Sequence, residues 1–160
     1  MESDSNPPIL DRVGIVDVHF GRNVRVVEPV NLYGCTIGDD SFVGPFVEIQ
    51  RNVTIGRRCR IQSHAFICEL VTIGDDCFVG HGVTFVNDLF RTGKPTRGPG
   101  GEWMPTHVGR QVSIGSQATI LPVTICDRAV IGAAAVVTRD IVEPGFYAGN
   151  PARKLRGLAP

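Results

Sequence analysis

Large apolar residues return every six positions along most of the chain, as Ile37, Val43, Ile49, Ile55, Ile61, Ile67, Ile73, Val79 and Phe85. Four residues after each stands a second residue, small or β-branched in most places: Ser41, Val47, Val53, Cys59, Ala65, Val71, Cys77, Val83 and Leu89. A period of six fits neither the 3.6-residue face of a helix nor the two-residue alternation of one long strand. It predicts short strands joined by bends. The register continues upstream through Phe20, Val26 and Leu32, and downstream through Val108, Ile114, Ile120, Ile125, Ile131 and Val137. Only the steps from Leu32 to Ile37 and from Ile120 to Ile125 are one residue short. Three hexads make one triangular turn, so the pattern predicts an all-β chain, a parallel β-helix of about six coils.

The pattern breaks once, over about residues 88–107, where a Gly- and Pro-rich stretch carries the only Trp, Trp103. A loop of this length inside a compact repeat is usually functional, and Trp103 and Met104 require an apolar place to dock, expected on a neighbouring subunit. Around it, residues 1–19 read as a leader or N-terminal cap, 20–142 as the β-helix, and 143–160 as a tail or short helix. A narrow dry interior favours Ile and Val over rings, which accounts for 42% hydrophobic but only 7% aromatic residues.

Charge removes several function classes. Sixteen Lys and Arg balance sixteen Asp and Glu with no basic tract, which gives no grip on nucleic acid or an anionic membrane. No run reaches the ~18 apolar residues of a bilayer span, and Met1 to Pro8 lack an export pattern, so a cytoplasmic protein is expected. Five cysteines without a CxxC pair argue against a disulfide framework, and Cys59 and Cys77 occupy inward positions that call for small side chains.

The hexads, the segment from Phe78 to Phe90, the run from Val112 to Pro122 and the closing run from Val136 to Lys154 resemble the hexapeptide-repeat acyltransferase superfamily. Within it, the Asn87-Asp88 step is similar to that of acetyltransferases acting on amino sugars carried by nucleotide diphosphates. The resemblance implies a left-handed β-helix, a homotrimer with active sites between subunits, and acetyl-CoA as co-substrate. It implies N-acetylation of a nucleotide-linked deoxyamino sugar.

Residues eighteen apart stack in a regular coil, which places Glu69 below Asn87 and Arg51 below Glu69. Galactoside-type members, which acetylate hydroxyls, carry a catalytic histidine just after this strand, where the chain here has Asn87-Asp88. A hydroxyl must lose its proton as it attacks a thioester, whereas a neutral amine is already nucleophilic. Asn87 and Asp88 are therefore the leading catalytic candidates, with His81 an outward residue one corner away. Arg51, Glu69, Trp103 and His107 are candidate substrate contacts. If the acceptor is a hydroxyl instead, His81 or His107 must be the base.

For CoA, Gly115, Ser116 and Ala118 are expected beneath Gly132, Ala133 and Ala135, leaving a shallow groove for the pantetheine arm. Arg139, Arg153, Lys154 and Arg156 supply positive charge for its phosphates. A zinc-binding branch of this fold needs closely spaced histidines; here the nearest pairs lie 17 and 26 residues apart, and no metal is expected. A catalytically silent scaffold is the remaining alternative, since fold alone does not fix function.

Overall fold

The computed structural model describes residues 13–96 and 102–158. Its short strands wind into three sheets of seven, six and eight strands, parallel except for the last strand of the third, which form the faces of a left-handed β-helical prism. The first face holds Ile15–Val16, Asn31–Tyr33, Glu48–Ile49, Phe66–Ile67, Thr84–Phe85, Thr119–Ile120 and Val136–Val137. The second holds His19–Phe20, Thr36–Ile37, Thr54–Ile55, Val71–Ile73, Thr106–Val108 and Thr124–Ile125. The third holds Arg25–Val26, Phe42–Val43, Arg60–Ile61, Phe78–Val79, Ser113–Ile114 and Ala129–Ile131, closed by Gly145–Ala148 and Arg153–Arg156.

The hexad register is the physical register. Ile37 pairs with Ile55 and Ile55 with Ile73, each eighteen residues on, while Phe20 pairs with Ile37 and Val108 with Ile125 at seventeen. The two short hexads thus shorten whole coils without disturbing the stack. Ile37, Ile49, Ile55, Ile61, Ile67 and Ile73 are all buried, and each contributes about 1.5–3 kcal/mol on leaving water. At the inward small position, Ser41 Oγ donates to the Gly56 carbonyl at 3.0 Å, and the Cys59 and Cys77 thiols donate to Gly74 and Gly109 at 3.1 Å. All five cysteines are free thiols; burial pushes Cys35 up to about 11 and Cys68 to about 12.

At Gly56, which follows the inward Ile55, the coil above demands glycine. A Cβ on Gly56 would lie 2.6 Å from the Gly74 carbonyl carbon.

Two expectations are corrected at the ends. Ile15–Val16 pairs in parallel with Asn31–Tyr33, so the described prism starts before residue 20 and has one more rung on its first face than six coils provide. The five-residue step from Ile15 to Phe20 is another short hexad, and Ile15 is exposed, with no rung below it among the described residues. The C-terminal segment is neither tail nor helix. Gly145–Ala148 adds to the third face beside Ala129–Ile131, and Arg153–Arg156 folds back antiparallel on it, with the Arg156 guanidinium 3.6 Å over the Phe146 ring. This hairpin covers the last coil's edge, which would otherwise be open for pairing with another chain.

Candidate active site

Thr84–Phe85 delivers the backbone to the corner between the first and second faces, where Asn87 is half-buried. There the loop leaves, and it returns so that the Met104 amide donates to the Asn87 carbonyl at 2.9 Å. That bond closes the loop's neck. Asp88 holds the outgoing limb, its two carboxylate oxygens accepting the Phe90 amide at 2.8 Å and the Thr96 amide at 2.7 Å. Both bonds favour the charged form, the Thr96 amide most, and keep this carboxyl below its usual range. Asp88, expected beside Asn87 as a catalytic group, is thus engaged in shaping the loop.

The expected column is present. Asn87 donates from Nδ2 to the Glu69 carbonyl at 3.3 Å, and Glu69 Oε1 lies 3.4 Å from Arg51 Nε. The Glu69 amide in turn donates to Gln50 Oε1 at 3.3 Å, and the Arg51 guanidinium sits 5.8 Å from the centre of the Tyr33 ring. Committing Nδ2 to a backbone carbonyl orients the Asn87 amide, and its Oδ1 remains as an acceptor. A hollow of about 260 Å³ opens beside it, lined by Phe66, Thr84, Val86, Phe90 and Trp103 among others. Trp103 is half-buried and lines this hollow within its own chain. Phe66 and Phe90 were not singled out from the sequence. Phe66 carries a readable signal, a ring at the outward position just before the buried Ile67.

The histidines stand elsewhere. His81 is exposed on the corner between the third and first faces, with Nδ1 3.4 Å from Ser116 Oγ. His107 points out from the middle of the second face between Thr72 and Thr124. Neither lines the Asn87 hollow.

The small residues of the expected CoA groove stack at the expected register, with Ile114 beside Ile131 at an offset of seventeen. The Gly115 and Gly132 amides are used by Ile131 and Tyr147 carbonyls at 2.8 and 2.7 Å. Among the described residues, the Ser116 and Ala133 amides donate to no backbone carbonyl. Those two N–H groups can serve a ligand. Ala135, by contrast, turns its methyl into the buried core and can offer only backbone. Arg139, Arg153 and Lys154 do converge, lining a pocket of about 190 Å³ at the end of the prism with Tyr147 and Asp140. Lys154 already has a partner there, Glu143 at 2.8 Å, which holds its ammonium above the usual range.

Residues 34–69 match the family model of the bacterial transferase hexapeptide (six repeats), and residues 70–86 and 105–139 that of the hexapeptide repeat of succinyl-transferase. The chain belongs to the hexapeptide-repeat transferases. It is 36% identical over 133 residues to galactoside O-acetyltransferase of Escherichia coli, covering 77% of this chain and 64% of that protein. It spans less than two thirds of the length of the curated relatives it matches. Among solved structures, galactoside acetyltransferase in complex with coenzyme A superposes with a TM-score of 0.65 at 32% identity, over 76% of this chain and 64% of that one. A mutant of AntD, an N-acyltransferase from Bacillus cereus in complex with dTDP and coenzyme A, shares the fold with a TM-score of 0.77 at 20% identity, over 87% and 83%.

Proposed function

We propose that the chain is an acetyl-CoA-dependent N-acetyltransferase acting on the amino group of a deoxyamino sugar linked to a nucleotide diphosphate. It works as a homotrimer, each active site lying between subunits. The observation that carries the reading is the pinned amide of Asn87, whose Oδ1 remains an acceptor beside a hollow that no histidine lines. An acceptor oxygen orients an N–H group without removing a proton in advance, which suits an amine and not an alcohol. The apolar lining from Phe66, Val86 and Trp103 suits a sugar that has lost a hydroxyl. The coenzyme A and dTDP bound in the AntD structure lend further support.

In this reading the neutral amine attacks the thioester carbonyl carbon, forming the C–N bond. The tetrahedral intermediate collapses with cleavage of the C–S bond, and the departing CoA thiolate takes the proton that the nitrogen releases. The unused Ser116 and Ala133 amides hold the donor, one of them facing the oxyanion. Asp88 shapes the loop and Glu69 keeps Asn87 aligned.

One observation favours a second reading, O-acetylation. The galactoside O-acetyltransferase relative acts on a hydroxyl, and His81 beside Ser116 is a base in reach of the groove. Thiol release from acetyl-CoA with matched amino and hydroxyl sugar nucleotides separates the two. Turnover of amines alone supports N-acetylation; turnover of hydroxyls alone transfers the chemistry to a histidine.

A further inference from the structure

An aromatic column rises along the corner between the third and first faces. Phe46 and His64 occupy successive rungs, their backbones tied to the rungs below by Phe46 N–H to Pro29 carbonyl and His64 N–H to Pro45 carbonyl bonds. Their rings stack 4.9 Å apart with planes 15° from parallel, close to the spacing of the strands that carry them. His64 covers the upper face of the Phe46 ring. The lower face looks toward the rung of Pro29, and no aromatic ring of a described residue continues the stack there. Phe46 is 57% exposed, a large apolar surface for a ring already covered on one side.

Below it lies a hollow of about 310 Å³, lined by Val13, Pro29, Asn31, Phe46, Val47 and Glu48. Its walls are apolar, but two half-buried polar side chains on adjacent strands of the first face meet it. The Asn31 side chain forms no hydrogen bond with another described residue, and Glu48 spends Oε1 on Gln50 at 2.9 Å. An open aromatic face beside an amide and a carboxylate matches one ligand chemistry well. A nucleobase offers a ring to stack on and an edge of donors and acceptors to read. A lipid chain or a bare sugar would use only half of these features.

Position ties this hollow to the candidate active site. Glu48, Phe66 and Thr84 are consecutive outward residues of the first face. Two rungs up the face and three residues across it give about 14 Å from Glu48 to Asn87. Ribose and diphosphate bridge a gap of that order. On the rung of Glu48, at the other corner, Arg51 presents a guanidinium whose side chain is 63% exposed and whose nearest approach to Glu69 is 3.4 Å, through Nε. Its remaining N–H groups can take phosphate.

We infer that the hollow beneath Phe46 is a nucleobase subsite, the base stacking as the next ring of the His64–Phe46 column with its edge read by Asn31 and Glu48. The acceptor's diphosphate then passes Arg51 and its amino sugar reaches Asn87, so this subsite deepens the proposed function and rests on it for the identity of the ligand.

The test is equilibrium binding of thymidine, uridine and guanosine diphosphates to the full chain, with deoxyribose 5-phosphate as a probe lacking the base. At least one nucleotide binds more tightly than the baseless phosphate. Phe46→Ala weakens that nucleotide by about tenfold or more, while Phe46→Tyr, which keeps the stacking ring, stays within about threefold. Coenzyme A affinity, unchanged in both variants, shows that they fold. Nucleotide affinity that ignores Phe46→Ala, or no nucleotide bound better than the baseless phosphate, overturns the subsite. Amine acylation by such a chain would leave the proposed reaction standing. Phe46-dependent nucleotide binding in a chain that acylates no amine would refute the reaction and keep the subsite.

Discussion

Two corners of the same prism carry charged columns, and they differ in how completely each column satisfies itself. Between the second and third faces, Asp39 takes the Arg22 amide and guanidinium at 2.8 and 3.0 Å, and Asp75 takes those of Arg57 at 2.9 and 3.1 Å. Alongside, Asp76 receives Arg58 through two bonds of 2.6 and 2.8 Å. Each carboxylate closes on the coil below, and the Arg partners hold all three below the usual carboxyl range. Between the first and second faces, Arg51 comes no nearer to Glu69 than 3.4 Å, Asn87 keeps an acceptor, and the coil is interrupted by the loop. Stacking one coil apart, at an offset of seventeen for Arg22–Asp39 and eighteen elsewhere, makes both columns. What distinguishes a candidate site is the bonding capacity left over beside a hollow, not the charge.

Substitutions can break this contrast in graded steps. Asn87→Ala is expected to lower kcat/KM by about a hundredfold, the cost of a mispositioned acceptor, with melting within about 2 °C of the parent. Steady-state rates and thermal unfolding on one preparation check both halves. Gly56→Ala is expected to do the opposite. Its Cβ meets the Gly74 and Asp75 backbone at 2.6 and 2.7 Å, so stability falls by about 1–3 kcal/mol in denaturant titration while turnover per folded molecule holds.

Asp88→Ala comes next. Loss of both amide bonds frees the loop and raises KM for the acceptor more than it lowers kcat, whereas Asp88→Asn, which keeps one acceptor oxygen, recovers part of the loss. A large fall in kcat in both variants would instead put Asp88 in the chemistry. The smallest effect belongs to the closed column. Asp75→Asn at an exposed pair changes melting by less than about 2 °C at neutral pH and leaves activity intact. Its signature lies in acid. A carboxyl with a depressed folded pKa stabilises above its unfolded value of about 3.9 and loses that contribution as pH falls through the folded value. The parent's melting temperature should therefore be flat above about pH 5 and fall below about pH 4, with a shallower fall in Asp75→Asn.

The inward column was legible because burial is periodic and needs one residue type. Ile37 to Phe85 and Val108 to Val137 all lie where the hexads place them, short steps included. The stacking of Asn87 on Glu69 and Arg51 followed from that register alone. Bonding was harder to read. Nothing in the residue order distinguishes Asp88, closed on two loop amides, from a carboxylate facing a substrate. Ile15 escaped because its step to Phe20 is one residue short and it lies on the first rung of the described residues, and the closing hairpin because antiparallel return does not obey the repeat. Phe46 falls outside the repeat's inward positions, and its stack on His64, eighteen residues on, shows only in the structure.

The most direct test of the central claim is thiol release from acetyl-CoA with a nucleotide-linked amino sugar and its matched hydroxyl sugar, run on the parent chain and on Asn87→Ala. Release with the amine alone, reduced about a hundredfold by the substitution, is the predicted result. Release that persists unchanged in Asn87→Ala, or that appears only with the hydroxyl sugar, would contradict it.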